Sequence, residues 1–191
     1  MTVRPATWVC GVLWVALAVP GGSASGQAGG AETFTGNASV KSAAGAEAAT
    51  TITVVVERVM PQNEADALVA SFKTGGVAAL KKALVGTAPT GTIRLGQGQQ
   101  VTTRLTIARQ TPEGRLLTIV SDTPILFLGG NKAGAKPRAG HDFAVLDLSV
   151  DAKGNGSGTL APAAKVTVNQ GAFVVQDYGA VVRVTGVTRA Q

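Results

Sequence analysis

The sequence predicts a mainly β (α+β) domain: a twisted antiparallel sheet, sandwich or partial barrel with one inserted helix–turn–helix pair packed on it. Three observations carry this expectation. From Phe34 onward, most segments alternate apolar with polar residues, the two-residue period of a strand with one buried face. Clusters of Gly, Asn, Asp and Pro separate these segments at short intervals. Only the stretch 62–85 changes to helical spacing.

In FTGNASVK, Phe34, Gly36, Ala38 and Val40 share one face of a strand. The next run, TTITVVVERVM (50–60), is apolar on both sides, with Ile52, Val54 and Val56 opposing Val55 and Val59. Such a strand needs a cover on its second face. The helical stretch is the expected cover. Ala65, Leu68, Val69 and Phe72 form one stripe, and Val77, Leu80 and Leu84 another, with a break at Gly75–Gly76. Asn63 is the expected N-cap. A membrane-surface role for Lys73, Lys81 and Lys82 is disfavoured, because the apolar stripe lacks bulky aromatics.

Strands resume at 91–95 and 101–110, the latter with Val101, Thr103, Leu105 and Ile107 expected on one face. TPEG (111–114) turns the chain into 115–122. A short strand is expected at 123–128. Then 142–151 points Leu146, Leu148 and Val150 inward and Asp147 and Ser149 outward. Strands at 159–168, 172–176 and 181–187 complete an antiparallel meander, with Pro162 marking an edge or bulge. No repeat is present, and sparse aromatics argue against an outer-membrane barrel.

Ahead of this domain, Arg4 precedes the apolar run 6–19, which ends at Pro20–Gly21–Gly22 and small residues. That is the order of a secretory signal peptide, and the run is too short for the roughly 20 residues of a membrane-spanning helix. The expectation is a bacterial leader over 1–26, cut near 25–28, a linker at 27–31, and a single domain over 32–191. The mature chain is then exported (periplasmic or extracellular) and spans no membrane. It also loses Cys10, the only cysteine, so its stability rests on its core without disulfides. Net charge is +6, and loss of Arg4 leaves about +5. The charge is dispersed, without basic blocks interleaved with aromatics, so nucleic-acid binding is not expected.

The search for chemistry is mostly one of exclusion. His141 is the only histidine, and no serine sits in a nucleophile-elbow or Ser-x-x-Lys pattern. One His and no mature Cys give no zinc site. Asp151, Asn155 and Ser157 imitate part of a calcium loop, but Lys153 occupies a ligand position and no closing glutamate follows. No nucleotide motif is present. No metal, cofactor or catalytic set is therefore expected. The candidate ligand- or anion-binding residues lie in the glycine-rich loop LGGNKAGAKPRAGHDF (128–143): Lys132, Lys136, Arg138 and His141. The expected function is an exported, non-enzymatic binding or structural module, its partner an anionic envelope component or a small ligand. The alternative is a carrier of a small apolar or anionic ligand, with an enclosed cavity above roughly 300 Å³ as its mark and a filled core as its refutation. A hydrolase would need two or more of His141, Asp142, Asp147 and Asp177 in one cleft.

Overall fold

The alternation from Phe34 to Val40 forms the first strand, β1 (Glu32–Lys41), in a computed structural model that describes residues 30–41, 47–98, 100–125, 138–169, 172–177 and 181–190. Phe34, Ala38 and Val40 are buried, while Asn37 on the opposite face is exposed. The expected leader and most of the linker lie outside the described residues.

β1 pairs with β2 (Glu47–Val56), followed by α1 (Gln62–Gly86), β3 (Gly91–Leu95), β4 (Gln100–Thr111), β5 (Gly114–Ser121), β6 (Phe143–Val150), β7 (Gly156–Asn169), β8 (Ala172–Asp177) and β9 (Val182–Arg189). All pairings are antiparallel. Each strand from β1 to β7 bonds to the next, and β9 bonds to both β7 and β1. The ring therefore closes on eight strands, and β8 stands outside it, paired with the end of β7.

A closed barrel replaces the expected sandwich or partial barrel. The reason lies in the last strand. By bonding on both sides, β9 joins the two edges of what would otherwise be an open sheet, and the unpaired N–H and C=O groups of both edges are satisfied. Eight strands enclose an interior just wide enough to be filled by side chains. Phe34, Ile52, Ile93, Leu117, Leu146 and Leu160 fill it, each at most 1% exposed.

The helical stretch is helical as expected, with the break at Gly75–Gly76, where Gly76 takes φ of 64°. Its seat differs. α1 lies on the outer wall made by β4 to β7, where Leu68, Leu80 and Leu84 meet Leu105, Val120 and Phe143. Each of these leucines stabilises the seat by about 1.5–3 kcal/mol. The second face of β2 stays outside this seat: Val55 is half-buried and Val59 is 40% exposed. The outer wall of β4 to β7 is the more apolar of the two and takes the helix. The expected Asn63 cap is not used either. The cap position is Pro61, whose carbonyl accepts from the N–H groups of Glu64 and Ala65.

A bulge in β4 explains another difference. Thr103 pairs with Ser121 but Leu105 pairs with Val120, so Arg104 is an extra residue. Val101 and Thr103 point into the barrel, whereas Leu105 turns out to α1, with Ile107 packed against the same outer cluster. Arg104 reaches Asp122 at 2.9 Å and the Thr87 carbonyl at 2.9 Å, tying the bulge to the end of α1. The β6–β7 ladder slips similarly at Pro162, between Ala161 opposite Val145 and Ala164 opposite Phe143. The strand expected at 123–128 is absent from 123–125, and 126–128 lie outside the described residues. Pro124 has no N–H to donate, and the Ser121 hydroxyl bonds the Thr123 carbonyl in a turn. No described helix is long and apolar enough to cross a membrane.

Candidate functional site

Of the four candidate loop residues, Lys132 and Lys136 lie outside the described residues, and Arg138 and His141 are brought to one acidic partner. Gly140, at φ of 80°, lets the chain turn tightly, and the His141 N–H bonds the Arg138 carbonyl at 3.0 Å. The turn directs the imidazole inward, leaving its side chain 4% exposed. Nε2 comes within 3.1 Å of Asp177 Oδ2, and Nδ1 within 3.3 Å of the Ala139 carbonyl. The first contact is close but not aligned for a hydrogen bond, so it is an electrostatic pairing by distance rather than a formed bond. Arg138 extends over the same carboxylate at 3.8 Å and stays mostly exposed.

This geometry decides what the cluster can do. Both imidazole nitrogens face oxygens of the protein, and the ring is almost wholly enclosed, 4% exposed. Of the four residues a hydrolase would gather, two, His141 and Asp177, are brought together, around an enclosed ring. Asp142 turns to Lys81 at 3.2 Å, and Asp147 lies on the outer wall of β6. The cluster clamps the root of the β7–β8 hairpin to the turn before β6. Among the described residues, no group of three or more His, Cys, Asp or Glu side chains is placed to hold a metal ion. Asp151, read as an incomplete calcium ligand, is the hub of its own turn. It accepts from the backbone N–H groups of Asn155 (2.9 Å) and Lys153 (2.8 Å), and the Asn155 bond is the main reason its carboxyl is held below the usual range.

A second feature is an open groove of about 750 Å³ at one mouth of the barrel, between the ends of β1, β2, β5 and β9. Glu32 sits in it between two arginines, 2.5 Å from Arg115 and 3.0 Å from Arg189. The Arg115 guanidinium lies 5.9 Å above the ring of Phe34, which plugs the barrel beneath it. Burial alone would raise the Glu32 pKa and is the largest single influence. The hydrogen bonds and charges of Arg115 and Arg189 together outweigh it, so the carboxyl is held below its ordinary 4.5. A depressed native pKa stabilises the fold above the unfolded-state value, and that stability is lost as pH falls through the folded value. The Glu32→Gln variant is therefore expected to be less stable than the parent by about 1 kcal/mol at pH 7, the groups being partly exposed. Denaturant melts at pH 7 and at a pH below 4.5 should show the difference shrinking as the folded carboxyl is protonated. An equal difference at both pH values would contradict this origin.

The third feature lies outside the barrel. A cavity of about 180 Å³ is walled by Leu80 and Leu84 of α1, by the outer faces of β4 to β6, and by Val166, Val174 and Val175 of the β7–β8 hairpin. Its walls are aliphatic except for Thr118 and Asp147, which face each other across β5 and β6 with Thr118 Oγ1 donating to Asp147 Oδ1 at 2.7 Å. The alternation of β6 places Asp147 on the outer face, and the helix and hairpin partly cover it there. The available signal was its place in the outward-facing row that begins with apolar Phe143 and Val145.

The chain matches no protein-family model, no curated protein and no solved structure.

Proposed function

We propose that this protein is an exported, non-enzymatic binding module in which a filled barrel is the rigid support for a small-ligand pocket on its outer wall. The observation that carries the reading is the aliphatic cavity of about 180 Å³ between α1, the barrel wall and the β7–β8 hairpin. A carrier that used the barrel interior would need free volume there, and packed side chains occupy it. The ligand reading thus moves from the core to the wall. Export is supported by the order of charge, apolar run and small residues at 4–26. A binding rather than catalytic role is supported by the enclosure of His141 between protein oxygens. Anion binding by the loop 128–143 rests on Lys132 and Lys136, since Arg138 and His141 both face Asp177.

Native mass spectrometry of the protein purified gently from its exported compartment tests this reading. The expected parent spectrum has a chain beginning near residues 25–28 and a small adduct lost on denaturation. Val174→Trp, at the partly exposed rim, is expected to fill the pocket and abolish the adduct while the fold persists. A chain retaining residues 1–24 would overturn export by cleavage. An adduct unchanged by Val174→Trp would place the ligand elsewhere.

A further inference from the structure

We infer that the outer-wall pocket selects a small apolar molecule bearing one protonated amine, held by Asp147. The inference rests on the reading of this cavity as a ligand site and adds the class of ligand.

Asp147 points outward from β6, on the same face as Val145 and Phe143, and α1 and the β7–β8 hairpin cover that face. Asp147 is half-buried among aliphatic side chains, and a ligand that filled the pocket would strip its remaining hydration, a loss that needs a partner to offset it. Thr118 supplies one hydrogen bond, to Oδ1. Among the described residues no hydrogen bond or ion pair reaches Oδ2, which keeps some contact with solvent. The pocket thus combines Leu80, Leu84, Leu105, Val120 and Val145 with one carboxylate oxygen open to a donor.

Three ligand classes meet this surface differently. An anion would be repelled by Asp147. A purely apolar molecule would fill the walls but leave Oδ2 desolvated without a partner. An ammonium group on a compact hydrocarbon satisfies both, placing charge on the carboxylate and carbon against the leucines. The size is consistent, because a cavity of about 150 Å³ holds benzene. A cavity of about 180 Å³ holds a six-membered ring with one aminomethyl arm.

The test is a methyl NMR titration of the mature protein with benzylamine and with toluene, which share a ring but differ in the amine. Benzylamine is expected to bind at least tenfold more tightly than toluene, shifting Leu84, Val120 and Val145. Asp147→Asn keeps the acceptor for Thr118 but removes the charge. It is expected to weaken benzylamine at least tenfold and leave toluene unchanged, and the toluene result reports that the pocket is intact. Toluene binding at Leu84 and Val120 as tightly as benzylamine, or benzylamine binding unaltered by Asp147→Asn, would overturn the amine inference and leave the pocket reading standing. No shift at these methyls with either probe would overturn the pocket reading itself. Should Asp147→Asn fail to fold, the parent decides. A benzylamine affinity that falls with added salt while toluene's does not supports the ion pair, and equal salt responses overturn it.

Discussion

Phe34→Ala is expected to cost about 3–5 kcal/mol, the largest effect of a single side chain in this barrel. Phe34 is 1% exposed and lies inside the closed ring near one mouth. Its neighbours are held in place by strand ladders on both sides, so the wall cannot collapse into the space a missing ring would leave. The ring also supports Arg115, and through it the bond to Glu32. Removal therefore acts twice, by opening a cavity and by loosening the charged cluster over the mouth. A domain of this size has a total stability of about 5–15 kcal/mol, so the variant sits near the folding threshold. Thermal melts should place its midpoint roughly 10 °C or more below the parent. Phe72→Ala is the internal comparison. Phe72 is half-buried at the edge of the helix cluster, where the surroundings can adjust, and its loss should cost distinctly less. Equal costs at the two sites would contradict a filled, closed barrel.

The contrast between these two phenylalanines also marks what was legible in the sequence. Local periodicity identified the inward residues of β1, β2 and β6, because alternation is a property of each strand by itself. It identified the break in α1 because Gly75–Gly76 interrupts a stripe that resumes at Val77. It did not reveal closure. Nothing in the text of β9 distinguishes one paired edge from two, and the β1–β9 contact spans the length of the domain. The bulge at Arg104 was equally hidden. Val101, Thr103, Leu105 and Ile107 alternate without fault, and only the pairing with β5 shows that the face changes midway.

The candidate sites follow the same division. The turn at Gly140 was legible as a glycine-rich loop, but the Asp177 that captures His141 comes from a strand 36 residues later in the numbering. Asp147 was placed on the correct face, but only tertiary packing brings α1 and the β7–β8 hairpin partly over it. Residue type and period assign a face. What covers that face depends on which outer wall is most apolar, and this is a property of four strands together.

Closure itself makes the last prediction. Gly156→Ala is expected to destabilise the protein by about 3 kcal/mol, although it adds one methyl group. Gly156 opens β7 and is paired on both sides, with Val150 of β6 and Val187 of β9. A Cβ built there lies 1.8 Å from the Ser149 carbonyl oxygen. The obstacle is backbone, so no side chain can rotate away, and the strand must separate from β6. Separation at this point opens the ring rather than fraying an edge, because β7 links β6 to β9. Gly158, two residues further along, is crowded in the same way by the Asp147 carbonyl at 2.4 Å, so the neighbouring stretch offers no relief. Gly86→Ala is the control. Its added Cβ meets nothing within 4 Å at the end of α1, so helix propensity should leave it neutral or more stable by up to about 1 kcal/mol. Denaturant unfolding of both variants, with amide exchange along β6 and β9, separates the alternatives. A ring opened at Gly156 should lose protection on both neighbouring strands at once. Loss confined to β6 would mean that β7 yields without breaking the barrel, and the close approach would then matter only locally.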